Sequence, residues 1–487
     1  MVWFIGYCPV LAWSIALAKM DIAPRAVVAA SAPTAPHPGH LTRPPRGGPQ
    51  DLFYATSATR GMPRIVRGKG IHLWDDAGTR YIDVASGAFL ANLGQGNERV
   101  LRAMFDQGRA LTYSYVKNTR HDANLGLTER LSRLAGPGFE RVHLSSSGSE
   151  AIEMAVKLLR QHAVATGQPA RHRVITLMPS YHGATLQTIA LTGDLSTPAV
   201  FGPMATFSEK IPAPLACRAE SPEAAARASA AALEETIRRL GPETVLAFVI
   251  EPIGGQSSGA NVPDPVFCHE VRRICTEQGV YLVFDEIVSA FRTGRFLAAH
   301  HQPDSLPDLV VMAKGLGAGY APLGAVLAPA RLVDELAGLT GFNLSHSANA
   351  NPIGCAVGCA VLDEVVERDL IGNAERVGAS LRAGLERIAA RSAIVGEVRG
   401  RGLLLAIELV RHKPTMARFG PDVDPADALR LHGARHGLLL YARRVNGGLF
   451  GDWLMVTPPL TITEAESDEL VDRLGRALDD TTAELLA

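Results

Sequence analysis

Six short apolar runs, separated by stretches of helical periodicity, constrain the fold of this 487-residue chain more than any other feature. Most of the runs are continuously apolar rather than alternating, so each predicted strand should be buried on both faces. Buried strands that alternate with helices are typical of an α/β protein with a mostly parallel central sheet covered by helices. The runs lie at residues 141–144, 174–177, 245–250, 280–284, 309–312 and 324–327.

The two ends of the chain show a different pattern from the middle. Near the start, β-type runs on either side of the turn at 75–78 predict an antiparallel hairpin. Near the end, the pattern predicts a long amphipathic helix over 361–391 and a terminal helix over 464–486. Both ends together predict a smaller α+β domain. The predicted division is an apolar leader and disordered tether at 1–50, the first part of the small domain at 51–90, a large domain at 91–354, and the rest of the small domain at 355–487.

The first residues leave two interpretations open. Residues 2–18 are apolar, as in a signal peptide or membrane anchor, but no basic residue precedes Lys19. Alternatively, synthesis starts at Met20 and the preceding stretch is not part of the protein. Residues 29–50 are rich in Pro, Gly, Ala and Ser, which predicts a disordered tether.

The charge and cysteine content exclude several classes of partner. There are 48 basic and 49 acidic residues, so the formal net charge is −1, and we expect neither nucleic acid nor a membrane surface as a partner. The six cysteines include no Cys-x-x-Cys pair, so we predict no metal site, reduced thiols and a cytoplasmic location. Cys355 and Cys359 should share one helix face.

A serine-rich segment follows the first central strand and opens a helix. Ser147, Gly148 and Ser149 would place free backbone N–H groups and the positive end of the helix dipole at the strand end. This arrangement predicts a phosphate site. The alternative is an ordinary serine N-cap with Glu150 in the first turn.

Two charged residues end neighbouring central strands. Asp285 closes one buried strand, where a carboxylate needs a cation or a donor. Either a protonated ring nitrogen or a salt bridge to Arg292 would meet that need. Lys314 follows the next strand and precedes alternate glycines, which suits a partly desolvated amine beside a bulky ligand. The alternative is a surface lysine.

The combination is more informative than its parts. An anion-binding loop, a strand-end aspartate and a strand-end lysine would meet at one sheet edge. A pyridoxal 5′-phosphate (PLP) enzyme needs such a set: a phosphate site, a partner for the pyridine nitrogen, and a lysine that forms a Schiff base.

From about Arg67 to Asp480, the sequence resembles the class III (ω-amino) aminotransferases of PLP fold type I. The resemblance implies a large domain with a mostly parallel sheet and a small domain built from both chain ends. It also implies a homodimer. The matching stretches are Ser147-Gly148-Ser149-Glu150-Ala151, Tyr181-His182-Gly183, Glu251-Pro252-Ile253, Asp285-Glu286-Ile287, Lys314-Gly315-Leu316 and Asn351-Pro352.

The resemblance implies a role for each matched residue. Lys314 resembles the Schiff-base lysine, and Asp285 resembles the carboxylate that pairs with the pyridine nitrogen. The phosphate would be bound by Ser147, Gly148 and Ser149, and the cofactor ring would lie between Tyr181 and Ile287. Glu251 resembles an acid near the cofactor, and Phe89 an aromatic residue of the substrate pocket. His182 is placed with the cofactor-binding residues, with a purely structural role as the alternative.

Three departures from the family pattern affect these expectations. Ser347 stands where the family usually has a threonine that binds the phosphate from the neighbouring subunit. The stretch around Phe291 and Arg292 is one residue shorter than the common form. Gly448 stands where many amine transaminases carry a mobile arginine that binds a carboxylate, while Arg443 and Arg444 lie further upstream.

The resemblance leaves the reaction open among three classes. The leading expectation is transfer of an amino group between an amine or ω-amino acid and a keto acid or aldehyde. The alternatives are an aminomutase or racemase, and a decarboxylase of the dialkylglycine type. The sequence does not name the substrate.

Overall fold

The structure, a computed structural model, describes residues 63–342 and 344–487, and this part of the chain contains three β-sheets. The predicted leader and tether at 1–50, and the first residues of the predicted segment 51–90, lie outside the described residues. The strands are β1 (Ile65–Lys69), β2 (His72–Asp75), β3 (Arg80–Asp83), β4 (Arg141–Ser145), β5 (Arg173–Met178), β6 (Glu209–Pro212), β7 (Val245–Ile250), β8 (Tyr281–Asp285), β9 (Leu309–Met312), β10 (Gly324–Ala328), β11 (Val395–Arg401), β12 (Leu404–Leu409), β13 (Leu438–Leu439), β14 (Tyr441–Val445) and β15 (Gly451–Val456).

Helices precede, follow and connect these strands. Their hydrophobic faces bury against the sheets, as amphipathic helices of α/β proteins do. The helices are Ser86–Phe89, Glu98–Ala110, Asp122–Ala135, Gly148–Ala165, Leu186–Leu191, Thr197–Phe201, Pro222–Leu240, Pro265–Gln278, Ala330–Leu339, Pro352–Glu367, Leu370–Arg391, Pro425–Arg435 and Glu464–Leu486.

The central sheet has seven strands in the order β4-β10-β9-β8-β7-β5-β6. Strand β10 is antiparallel to both of its neighbours, β4 and β9, and the other pairs are parallel. Every residue of β7, β9 and β10 is buried. The predicted mostly parallel α/β sheet is therefore confirmed, and the six apolar runs form six of its strands.

The other two sheets come from the ends of the chain. One has the order β1-β2-β3-β13, so the predicted N-terminal hairpin is joined by a strand from the C-terminal region, which pairs parallel to β3. The turn between β2 and β3 is held by Asp75, whose carboxylate accepts the amides of Ala77 and Thr79 at 3.1 and 2.8 Å. The last sheet, β11-β12-β15-β14, is antiparallel throughout.

The predicted long helix over 361–391 is wrong, because two helices cover that region. They are Pro352–Glu367 and Leu370–Arg391. Asp369 interrupts them with a left-handed backbone (φ 48°), and its carboxylate accepts the amide of Gly372 at 3.2 Å, which caps the second helix. A local side-chain cap thus outweighs continuous amphipathic periodicity.

The first of these helices also explains one matched motif. Asn351 caps it, accepting the amides of Ile353 and Gly354 at 3.0 and 3.2 Å, and Pro352 occupies the first turn, where no N–H is needed. Cys355 and Cys359 lie on this helix as predicted. Burial raises the pKa of Cys355 to about 12 and that of Cys359 to about 11.

The domain boundaries near residues 90 and 354 stay a prediction. Residues Arg64–Ala487 group into one compact unit. Within residues 63–342 and 344–487, no helix combines the length and apolarity needed to cross a bilayer.

Candidate active site

A cavity of about 400 Å³ opens at the edge of the central sheet where β8 and β9 end. In α/β sheets, this carboxyl edge is where ligands bind. The structure brings most of the predicted site residues together there. The cavity is lined by Ser147, Gly148, Ser149, Tyr181, His182, Glu251, Asp285, Ile287 and Lys314, among others.

The helix Gly148–Ala165 begins at the cavity wall. Ser147 is its N-cap and accepts the amide of Glu150 at 3.2 Å, while the Glu150 carboxylate accepts the amide of Ser146 at 2.8 Å. The serine cap and the phosphate site, which the sequence posed as alternatives, are compatible, because the cap orients a helix whose N-terminal residues line the cavity. Ser149 also accepts the amide of Ala184 at 3.0 Å, which fixes the loop after β5.

Gly148 lets this helix approach Ile287 closely. A Cβ added at Gly148 would lie 2.7 Å from Ile287 Cδ1 and 3.3 Å from Ala313 Cβ. Any side chain at this position would therefore displace Ile287, which lines the cavity.

Asp285 is buried at the end of β8 and is held on both oxygens. Its Oδ2 accepts from His182 Nδ1 at 2.9 Å, and its Oδ1 accepts the amide of Ile287 at 3.1 Å. The side chain of His182 is itself fully enclosed. The imidazole therefore fixes the orientation of a carboxylate that faces the cavity.

The alternative salt bridge between Asp285 and Arg292 is wrong. Arg292 is buried and donates instead to the carbonyls of Thr457 and Pro458, at 3.1 and 2.9 Å, and to Asn92. In the shortened stretch after Asp285, the side chain of Arg292 therefore packs between the segment that contains Asn92 and the segment that contains Thr457.

Glu251 is a second acid at the cavity. Its two oxygens accept the amides of Gly255 and Tyr181 at 2.9 and 3.2 Å, so it positions the ring of Tyr181 through the backbone. Burial raises the pKa of Glu251 to about 7, and the negative charge of Asp285 adds to the rise.

The Lys314 amine belongs to the same enclosed site. Burial lowers the pKa of Lys314, while the carboxylates of Asp285 and Glu251 oppose that change. Its backbone has a left-handed φ of 35°, and its Nζ lies 5.8 Å from the centre of the Phe89 ring. The alternative of a surface lysine is wrong, and the lowered pKa favours a neutral amine.

Two predicted site residues do not line the cavity. Phe89 is 2% exposed and packs edge-on against Tyr441, with ring centres 4.8 Å apart. It therefore contributes to the packing around the cavity without lining it. Ser347 is exposed on a turn and is not among the residues that line the cavity of its own chain.

Sequence reasoning missed Gln256, which lines the cavity, and Tyr441, whose hydroxyl donates a hydrogen bond to Gln256. The backbone carbonyl of Gln256 accepts from Trp453 Nε1 at 2.7 Å, which ties the loop to the last sheet. Gln256 could have been found from its position just after Glu251, whereas the start of β14 gave no local signal for Tyr441.

Comparisons with known proteins agree with this geometry. The family described as "Aminotransferase class-III" matches residues 53–478. A "Probable aminotransferase Rv3329" of Mycobacterium tuberculosis is 34% identical, over 86% of this chain and 90% of its own length. The "Diaminobutyrate--2-oxoglutarate transaminase" of Halomonas elongata is 32% identical, over 86% of this chain and 90% of its own.

A solved structure gives the same result for the fold. The omega transaminase from Pseudomonas jessenii in complex with PMP superposes with a TM-score of 0.81 at 29% identity, covering 87% of this chain and 93% of that one. With the sheet edge, the cavity and its residues, these matches show that the chain belongs to the class III aminotransferase family, with PLP fold type I, and that it is an aminotransferase.

Proposed function

We propose that this aminotransferase binds pyridoxal 5′-phosphate in the described cavity and uses Lys314 to move an amino group from an amine or ω-amino acid to a keto acid or aldehyde. The observation that carries the proposal is the meeting of Lys314 and Asp285, from the ends of adjacent strands, beside a helix N-terminus. The complex of the Pseudomonas jessenii transaminase with PMP supports the choice of cofactor.

The residues that line the cavity suit a flat phosphorylated ring. Gly148 allows a close approach to Ile287 that a Cβ would block, and Tyr181 lines the same cavity. The N-terminal turn between Ser147 and Ser149 is suited to an anion, because amides in the first turn of a helix have no intrahelical acceptor. The buried carboxylate of Asp285 suits a cationic ring nitrogen.

In this arrangement, bound PLP would supply an aldehyde that condenses with amines and an electron-withdrawing ring that stabilises negative charge on the neighbouring carbon. Asp285 would accept a charge-assisted hydrogen bond that keeps the ring nitrogen protonated. His182 would keep Asp285 in place. Burial lowers the pKa of Lys314, which favours its action as a base, and Lys314 Nζ would carry a proton between the substrate carbon and the cofactor.

We propose a homodimer in which Ser347 reaches the phosphate site of the other subunit. Its exposed position, outside the cavity of its own chain, supports this assignment. Sedimentation of the purified protein should give a dimer, and a fully active monomer would contradict the proposal.

We also propose a cytoplasmic location. The thiols of Cys268, Cys275 and Cys355 are free and buried among the described residues, which suits a reducing compartment.

The replacement of Lys314 by alanine tests the proposed function. We expect Lys314→Ala to lower the transamination rate by about 10⁴-fold or more, because it removes both the covalent attachment and the proton carrier. The absorbance of lysine-bound PLP should disappear with it. Lys157→Ala, at an exposed lysine paired with Glu153, is the matched control and should keep both. Activity retained in Lys314→Ala would end the assignment.

A further inference from the structure

The segment that carries Tyr181 and His182 is held at two backbone positions. The amide of Tyr181 donates to the Glu251 carboxylate at 3.2 Å. The amide of His182 donates to Thr192 Oγ1 at 3.0 Å. The imidazole of His182 in turn fixes the orientation of Asp285, through the 2.9 Å contact described above. The placement of that carboxylate therefore depends on Thr192, which is not among the residues that line the cavity.

Thr192 and Gly193 lie beside the same segment. The Gly193 amide donates to both the carbonyl and the hydroxyl of Ser180 at 3.1 Å, and the Ser180 amide donates back to the Gly193 carbonyl at 3.3 Å. A Cβ at Gly193 would overlap the carbonyl oxygen of Leu177, so only glycine permits this close approach. Residues 180–182 are thus placed by the residues that they contact at 192–193.

Lys210, on strand β6, binds the end of the short helix that precedes Thr192. Its Nζ donates to the last two carbonyls of that helix, those of Ala190 and Leu191, at 2.9 and 2.7 Å. It also donates to two hydroxyls, one of which is that of Thr176 at 2.8 Å. Carbonyls in the last turn of a helix have no intrahelical donor, and a positive charge there is favourable. An ammonium group has three hydrogens, so these four oxygens satisfy it fully.

Among the described residues, the elements that pack around Lys210 carry few charges. The helix Leu186–Leu191 has none, and strands β5 and β6 contribute only Arg173 and Glu209 besides Lys210. Arg239, from the helix that packs on β6, pairs with Glu209 at 2.8 Å. Burial lowers the pKa of Lys210 to about 7, and the negative charge of Glu209 opposes that change. Lys210 is therefore charged below about pH 7 and neutral above it, and the neutral amine has two hydrogens for four acceptors.

We propose that Lys210 is a positioning residue for the amino-group transfer: its charged form holds the helix end and Thr192 in place, and so aligns His182 with Asp285. Lys210 is not among the residues that line the cavity. The inference rests on the proposed function and adds to it a residue that controls the rate from outside the cavity. It implies that the rate depends on the charge of Lys210.

Lys210→Met tests the proposal, because methionine has a similar length but no charge and no donor. The variant and the wild type, loaded with PLP, are mixed with 2,4-diaminobutyrate, putrescine or β-alanine, whichever the wild type converts fastest. The loss of PLP absorbance gives the rate of this half-reaction. At about pH 6, the saturated rate should fall about tenfold, whereas the donor concentration at half the maximal rate should stay within about twofold. Lys69→Met, at an exposed lysine on β1, is the matched control and should equal wild type.

The pH dependence separates positioning from a merely structural role. The wild-type rate divided by the Lys210→Met rate should be largest below about pH 7 and should approach one above it, because the wild-type amine is then neutral too. Groups that both proteins share, such as Lys314, cancel in this ratio. Glu209→Gln leaves Lys210 in place but removes the charge that opposes its lowered pKa. It should be slower than wild type by up to about twofold near pH 7 and equal to it well below that pH, a result that does not require Lys210→Met to fold.

A double variant tests the route through Thr192. Thr192→Val keeps the shape of the side chain but removes the oxygen that accepts the His182 amide. If Lys210 acts through that contact, adding Lys210→Met to Thr192→Val should lower the rate by less than about twofold further, rather than by about tenfold again.

The outcomes distinguish this inference from the proposed function. A rate ratio that stays constant with pH, or effects that multiply fully in the double variant, would leave Lys210 with a structural role only and overturn the inference. An unchanged rate in Glu209→Gln at every pH would do the same. A wild-type protein that converts none of the three donors would instead overturn the proposed function.

Discussion

The floor and the mouth of the cavity differ in burial and in origin. The floor consists of Asp285, His182, Glu251 and Lys314, at the ends of central strands or in the loops after them. What we call the mouth consists of Gln256, in the loop after β7, and Tyr441 of strand β14, which donates to Gln256. Asp285 and His182 at the floor are buried, so charge there acts over a low dielectric, whereas Gln256 and Tyr441 at the mouth are half-buried. From this difference in burial, we expect the floor to determine the chemistry and the mouth to affect only which substrate enters.

After the loss of activity expected for Lys314→Ala, the next largest effect concerns the acid Glu251 at the floor. Because burial raises the pKa of Glu251 from 4.5 to about 7, the folded protein binds a proton there that the unfolded chain releases. Its contribution to the free energy of unfolding therefore falls as pH rises from about 4.5 to about 7, by up to about 3 kcal/mol.

Urea unfolding of wild type and Glu251→Gln across pH 4.5–8 measures this effect. Wild type should lose stability relative to the variant as pH rises through that window. The difference between the two curves is the useful quantity, because Glu286, whose pKa is also raised to about 7 by burial, contributes to both. Parallel curves would mean that folding does not raise the pKa of Glu251, and that water reaches its carboxyl group in the folded protein.

A second prediction concerns the carboxylate opposite the amine. Asp285→Asn keeps the size of the side chain and acceptor capacity toward the Ile287 amide, but it cannot hold a ring nitrogen protonated. We expect about a 100-fold fall in kcat with cofactor still bound, since a charge-assisted hydrogen bond contributes about 1.5–3 kcal/mol. Absorbance gives cofactor content and steady-state kinetics gives kcat. Wild-type turnover in this variant would remove the proposed role.

The same contrast explains what the sequence could predict of the site. Asp285 and Lys314 follow continuously apolar runs, and in a parallel sheet such positions converge on one edge, so local pattern and topology suffice. The glycine and serines at 147–149 start a helix at the same edge. Tyr441 comes within hydrogen-bond distance of Gln256 at the cavity because β14 pairs with β15, a contact between segments that no local pattern reports.

The fold follows the same rule. All six predicted central strands appear within about a residue of their predicted ends, because burial on both faces leaves a continuous apolar signal. The interruption at Asp369 was not predicted, since periodicity on both sides of it is continuous and the decisive feature is one side-chain cap. The order of strands in the central sheet also depends on contacts distant in sequence.

A third prediction tests the close packing at the phosphate side of the floor. In Gly148→Ala, the new Cβ would press on Ile287 Cδ1, and we expect cofactor affinity to fall about tenfold, within the cost of overpacking. Ile287→Val removes that Cδ1 atom, so the double variant should recover most of the loss. Fluorescence titration of the cofactor-free protein with PLP measures the dissociation constants.

Gly108→Ala is the matched control for that experiment. Gly108 is also helical, but its added Cβ would lie 3.7 Å from Ile353 Cδ1, an ordinary contact. It should leave cofactor affinity unchanged and stabilise the helix by up to about 1 kcal/mol. If Gly148→Ala also leaves affinity unchanged, the close approach of helix and Ile287 does not shape the site.

The smallest predicted effect is at the mouth. Tyr441→Phe keeps the ring that packs on Phe89 and removes only the hydroxyl that donates to Gln256. Because that group is partly exposed and water can replace the lost partner, kcat/KM should change by about threefold or less. Cofactor content should equal that of wild type. A fall as large as that of Asp285→Asn would break the distinction between floor and mouth, since it would place the phenol among the groups that act on the reacting atoms.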